Sequence, residues 1–300
     1  MSKVTKKDAA PAKAPSKAAP AAAAAKPAVV AAKPTVAPAA ALAVRPAAVV
    51  KAPAKAPSKG PVLPPAPTSK FNTDAVLSEL KALGMATTAK AYANMGAAGT
   101  VYGVSAADLA KVAKGIGTDH VLADALWTTG VLDAQLLACI VADPKAADFK
   151  QLDRWAKSAT SAPACDAMAG VAGRSPMFAA CFTAWTTHRG ANAEFVHRCG
   201  WSTLAAGLKN GSMIGAATLK QALATMEKTM KNAANRAREG MNIALIAIGT
   251  YRDEFADPAM ALARKLGTVK VEHGESDGKD LDAATEIAKA RSGLGKKAAK

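Results

Sequence analysis

The stretch Ser105–Pro144, SAADLAKVAKGIGTDHVLADALWTTGVLDAQLLACIVADP, reads as three short helices in immediate succession. Ser105 and Asp108 form an S-x-x-D capping box that opens a helix ending near Gly117. A second helix runs from Thr118 to Thr129 and is closed by Gly130. A third runs from Val131 to Ala142 and is closed by Asp143-Pro144. The rhythm continues outward in both directions. Thr73 to Leu83 places Val76, Leu77, Leu80 and Leu83 on one stripe, with Gly84 as its stop. Downstream, helical segments are expected at 147–159, 162–172, 175–188, 191–208, 216–231, 236–249, 254–266 and 280–291. Alternation of the strand type is absent, and Thr268 to Val271 is too short a β-like run to count. Short helices with tight connections, at about 40 residues per pair, predict an all-α, HEAT-like α-solenoid of stacked helix pairs; a closed helical bundle is the alternative.

Composition divides the 300 residues unevenly. Residues 1–70 hold 13 of the 17 prolines and none of the aromatics, with eleven lysines and one arginine against the single acid Asp8. An Ala/Pro/Lys-rich segment of this kind has too little large apolar surface to offset chain entropy, and it is expected to be a disordered basic tail. Residues 71–292 are expected to be the helical-repeat domain, and 293–300 a short basic C-terminal tail. The formal net charge is +16 and the pI about 9.8. Spaced lysines on an extended chain attract a polyanion by counterion release, so nucleic acid is the expected partner; a solubilising linker is the alternative.

Several function classes are excluded. No run of 18 apolar residues exists to span a membrane, and no strongly hydrophobic N-terminal segment exists to direct export. Cys139, Cys165, Cys181 and Cys199 lie far apart without metal-ligand spacing, which reads as buried thiols in a reducing, cytoplasmic compartment. Glu272-His273-Gly274-Glu275 with Asp277 lacks the calcium-loop spacing and reads as a polar turn. No metal or cofactor is expected. Asn235-Arg236-Ala237-Arg238 opens a helix, where two guanidiniums beside free N–H groups make an anion site. With Lys220, Lys228 and Lys231 on the preceding helix, Arg236 and Arg238 form the expected phosphate-contacting surface. A solvated basic face is the alternative.

A set of stretches, in order over residues 72–290, resembles the DNA alkylation repair family, HEAT-like helical-repeat proteins related to bacterial alkylpurine DNA glycosylases. They are Tyr102-Gly103-Val104, Asp108 to Lys114, Ala125 to Gly130, Asp133 to Ala138, Cys165-Asp166, Glu194 to Trp201, Asn235-Arg236, Met241 to Gly249 and Val269 to Glu275. The resemblance implies a concave, positively charged face that cradles duplex DNA in a monomeric, nucleoid-associated protein. It also implies excision of 3-alkyladenine and 7-alkylguanine without base flipping. In that chemistry a carboxylate stabilises the sugar cation, and indole faces hold the departing cationic base.

The family's Trp-Asp-x-x-Asp catalytic run corresponds to Ala162-Pro163-Ala164-Cys165-Asp166, which leaves Asp166 as the candidate catalytic carboxylate. Its second catalytic tryptophan corresponds to Ile243. Trp155 and Trp201 are the candidate replacements, although their spacing among Leu152, Ala156, Leu204 and Ala205 also suits a core. Arg198 matches the family's phosphate-facing arginine and is expected to be held by Glu194 on the same helical face. A non-catalytic DNA-binding module and a protein scaffold are the alternatives to the glycosylase.

Overall fold

The computed structural model describes residues 68–276 and 278–298, with side chains as far as 294. The tail expected over residues 1–70 lies outside them except for Thr68, Ser69 and Lys70, and Ser69 donates to the Asp119 carboxylate at 2.7 Å. Short polar caps define many of the helices. Asn72 opens α1 (Thr73–Ala82) by accepting from the Asp74 and Ala75 amides. Ser105 opens α3 (Ala106–Ile116), Asp119 opens α4 (His120–Thr128) and Asp148 opens α6 (Phe149–Ser158) in the same way. Ser161, followed by Pro163, opens α7 (Ala162–Ala172). Gly117, at φ +75°, stops α3 in a conformation that a side chain would strain.

The remaining helices are α2 (Ala86–Asn94), α5 (Leu132–Val141), α8 (Phe178–Thr186), α9 (Ala193–Lys209), α10 (Ala216–Thr229), α11 (Asn235–Tyr251), α12 (Ala256–Leu266) and α13 (Ala283–Ala298). There is no strand among the described residues. Residues 268–271 are irregular, with the Val271 amide donating to Asp280 at 2.8 Å. Helix α13 continues through most of the C-terminal tail expected from residue 293. Helix α2 had no counterpart among the expected segments. Its sequence ATTAKAYAN has no stripe of large apolar residues and no side-chain cap, and none of its residues is buried.

The helices form two rows. Helices α3, α5, α7, α9, α11 and α13 lie side by side in one row, and α4, α6, α8, α10 and α12 back them in the other. Neighbours in the first, inner row pack against one another more extensively than neighbours in the second, outer row. Small residues permit that packing. A Cβ on Gly173 of the α7–α8 turn would lie 2.7 Å from the Gly207 amide of α9, and one on Gly249 of α11 would lie 2.7 Å from Ile287 of α13. Gly240 of α11 would meet Trp201 and the Arg198 backbone at 3.2 to 3.4 Å.

The outer row is tied together by indoles. Trp155 of α6 stacks on Trp127 of α4, with centroids 4.7 Å apart and planes 7° from parallel. The Trp155 indole donates to Asp124 of α4 at 2.8 Å, and the Trp185 indole of α8 donates to Asp153 of α6 at 3.1 Å. Trp127 donates to the Ser158 hydroxyl at 2.9 Å. Two of these N–H groups thus reach back to the preceding outer helix, and that of Trp127 reaches forward to the next. All four cysteines are buried free thiols, and burial pushes Cys181 up to about 12, so they serve as packing groups.

At the N-terminal end, the Asp133 carboxylate in the first turn of α5 is fully buried and accepts the amides of Tyr102, Gly103 and Val104 at 2.6, 3.3 and 2.7 Å. It fixes the loop that leads into α3. Asp133→Ala is expected to destabilise the fold by about 3 kcal/mol, since three buried donors lose a charged acceptor. A lower urea midpoint with an unchanged m value would register this.

Candidate nucleic-acid interface

The inner row meets solvent along a narrow stripe. On α5 only Leu136 and Ile140 are accessible apolar positions, Ile140 at 51 %. On α7 the accessible side is Pro163, Asp166, Ala167 and Gly170, spaced at i, i+3, i+4 and i+7. Toward the C-terminal halves of α9 and α11 it is Ala206 and Lys209, then Ile243 and Ile246. Between α7, α9, α11 and α13, Asp166, Ala206, Lys209, Ile243 and Ile246 border a hollow of about 340 Å³, lined also by Ser202, Thr250 and Tyr251.

A charged cluster forms one wall. Arg198 of α9 is nearly inaccessible, its side chain only 3 % exposed. Its Nε and Nη2 donate to the two oxygens of Asp166 on α7 at 3.2 and 2.7 Å, a bidentate pair, and Ser202 donates to Asp166 Oδ1 at 2.8 Å. Arg198 Nη1 donates to Glu239 of α11, which also accepts from Arg236 Nη1 at 3.0 Å. Arg236 Nη2 reaches the Met95 carbonyl after α2, at 2.9 Å. Burial alone would make the Arg198 cation easier to discharge, but Asp166 and then Glu239 outweigh it and hold the guanidinium charged. Burial likewise raises the Glu239 pKa, and the Arg198 and Arg236 cations more than reverse it, leaving the carboxyl below its ordinary value.

This geometry corrects several expectations. Arg198 is an internal cation that joins three helices; it has no free face for a phosphate. Glu194 does not hold it. Glu194 instead accepts the Arg236 amide at 2.7 Å, because the first turn of α9 lies against the open N-terminus of α11. Arg236 is likewise committed to Glu239 and Met95. Arg238 donates to the Lys231 carbonyl and to Asn235, both at 3.4 Å. Lys220, Lys228 and Lys231 are exposed, but Lys220 and Lys228 belong to α10 of the outer row and Lys231 to the 3₁₀ turn that follows it, so these three lysines do not share a surface with the internally bonded Arg236.

Trp155 and Trp201 are core residues, the first in the outer-row stack and the second edge-on to Phe182 at 5.5 Å. Neither presents a ring to the hollow. Asp166 does border it, with 45 % of its side chain exposed, beside Ile243. His273 Nε2 lies 3.3 Å from Asp280, within the turn that Asn235 pins by exchanging two hydrogen bonds with Glu272.

Sequence reasoning missed Glu239, Lys209, Arg174 and Tyr251. Arg174 and Lys209 follow or end α7 and α9, are exposed, and have no carboxylate partner among the described residues. With exposed Lys145 after α5 they mark the C-terminal ends of three successive inner helices. A basic residue at each helix end was the available signal. The hollow is therefore apolar at its centre and charge-paired on one wall, with Lys209 the one lysine among its lining residues, where a positively charged inner face had been expected.

Stacked helix pairs with a carboxylate–guanidinium pair on the inner row define a HEAT-like repeat protein of the DNA glycosylase-related type. The sequence matches the DNA alkylation repair enzyme family over residues 76–266, and the chain belongs to that family. It is 26 % identical over 224 residues to the uncharacterized protein Lmo0209 of Listeria monocytogenes, covering 73 % of this chain and 96 % of that one. It is 25 % identical over 227 residues to Lin0241 of Listeria innocua, with the same coverage. A solved structure described as a new family of proteins related to the HEAT-like repeat DNA glycosylases, with affinity for branched DNA structures, superposes with a TM-score of 0.65 at 27 % identity. It covers 75 % of this chain and 95 % of that chain. No helix among the described residues is long and apolar enough to cross a membrane.

Two consequences are measurable. Arg198→Met is expected to cost about 3 kcal/mol because it strands two carboxylates, whereas Asp166→Asn, at a half-exposed position, is expected to cost about 1 kcal/mol; urea denaturation separates them. The depressed Glu239 pKa contributes stability that is present above its unfolded value of about 4.3 and is lost as pH falls through the lower folded value. Acid titration of Glu239→Gln should therefore show a shallower loss of stability below that pH than the parent chain.

Proposed function

We propose that this protein binds DNA at branched or distorted sites through the inner row and does not excise alkylated bases. What carries the reading is the hollow beside Asp166. Its walls are Ile243, Ile246 and Ala247 where a cationic leaving base would need indole faces, and all four tryptophans are buried. The Asp166 carboxylate is spent on Arg198 and Ser202, so its charge is already compensated before any sugar cation could form. The relative with affinity for branched DNA supports the partner class.

Contact with the backbone falls to the rim cations Lys145, Arg174 and Lys209, with Arg238, Lys220, Lys228 and Lys231 farther out. The small residues Ala167, Gly170 and Ala206 let a duplex approach the inner row closely. The lysines of residues 1–70 add sequence-independent attraction to phosphate. On this reading the protein works in the cytoplasm with the nucleoid, as a monomer on its DNA.

The full chain should bind a four-way junction more tightly than linear duplex, with affinity falling as salt rises. Arg174→Ala and Lys209→Ala should each reduce the salt slope by about 1. Asp166→Asn should leave affinity within about twofold, since the residue faces Arg198 rather than phosphate. Alkylated duplex incubated with the protein should yield no free 7-methylguanine. Its release, abolished by Asp166→Asn, would replace this reading with a glycosylase.

A further inference from the structure

The hollow has a second end, away from Asp166, that the reading above does not use. Tyr251, the last residue of α11, borders it with 39 % of its surface exposed, the only aromatic ring among the lining residues. No hydrogen bond holds the Tyr251 hydroxyl among the described residues. Beside the ring stand the aliphatic side chains of Ile243, Ile246 and Ala247, and opposite them Ala205 and Ala206 of α9. Thr250 lines the same hollow. It is 4 % exposed and its Oγ1 has no hydrogen-bond partner. Lys209 stands at the lip without a carboxylate partner among the described residues.

A helical threonine normally returns its hydroxyl to the carbonyl one turn earlier, as Thr128, Thr183 and Thr225 do here. Leaving a buried hydroxyl unpaired costs free energy unless something supplies the partner. The volume of about 340 Å³ lies in the range of small-ligand sites. An accessible aromatic face, aliphatic walls, one unmet hydroxyl and an adjacent cation together are the features by which proteins hold a single unstacked base and its phosphate.

We infer that this hollow receives one unpaired nucleobase, stacked on Tyr251 between Ile243 and Ile246 and the alanines of α9, with Lys209 on the adjacent phosphate and the Thr250 hydroxyl bonded to the base edge. The inference rests on the DNA-binding reading and gives it a specificity. Bulges, and branch points that carry unpaired nucleotides, expose unstacked bases, whereas intact duplex does not.

The test uses the full chain and three DNAs of equal length: a duplex, the same duplex carrying one unpaired base, and a four-way junction. The bulged duplex should bind about tenfold more tightly than the plain one, the range of a single base–aromatic stack. Tyr251→Ala should abolish that preference and Tyr251→Phe should retain it. Ala206→Trp, which fills the hollow from α9, should also abolish it. Thr250→Val should weaken the preference without lowering the melting temperature, which distinguishes a binding hydroxyl from a structural one. If duplex and junction bind but the bulge earns no preference, or keeps it in Tyr251→Ala, the base site is overturned and the DNA-binding reading stands. If none of the three DNAs binds, both fall.

Discussion

Moving a guanidinium out of water costs several kcal/mol unless carboxylates meet it with good geometry. Arg198 is in that position, and the middle of the protein is arranged around it. Asp166 on α7 and Glu239 on α11 must approach α9 from opposite sides, and Ser202 completes the acceptor set of Asp166. Glycines at the α7–α9 and α9–α11 contacts let the helices come close enough for those bonds to form. Arg236 extends the network to the loop after α2, so one ionic cluster ties the N-terminal loop to the C-terminal half. The extensive packing of α7, α9 and α11 within the first row follows from the same contacts.

That arrangement decides what the hollow can do. A carboxylate already bonded to a guanidinium and a hydroxyl has little charge left for a developing cation. Three of the four tryptophans stand on the outer helices and link them through Asp124, Asp153 and Ser158. Indole there serves the stack, and the front is left with isoleucine, alanine and one tyrosine. The family's frame is thus kept while the carboxylate at its centre is already paired. Exposed cations without a carboxylate partner among the described residues stand at the ends of the inner helices.

Much of the frame was legible from local signals. The capping residues Ser105, Asp119 and Ser161 and the stop at Gly117 set helix boundaries through bonds to neighbouring amides, which do not depend on distant parts of the chain. Helix α2 was not legible, because it carries no apolar stripe and its placement depends on what its ends touch: Gly103 against the turn at Met85, and Met95 against Arg236. The site was legible only in part. Asp166 stands at the hollow as the family pattern implied. Yet the residues that neutralise it, the withdrawal of Arg198 and Arg236 from solvent, and the presence of Tyr251 at the far end all come from the lateral packing of helices 30 to 40 residues apart in sequence.

What the amino-acid sequence determined by itself is the all-helical content, the pairing rhythm and the basic character of the N-terminal segment, since each rests on local periodicity or on composition. The tertiary structure alone decided which charges are spent internally and which face outward. An arginine in a helix is chemically the same whether it meets phosphate or carboxylate; the neighbouring helix that packs against it makes the choice.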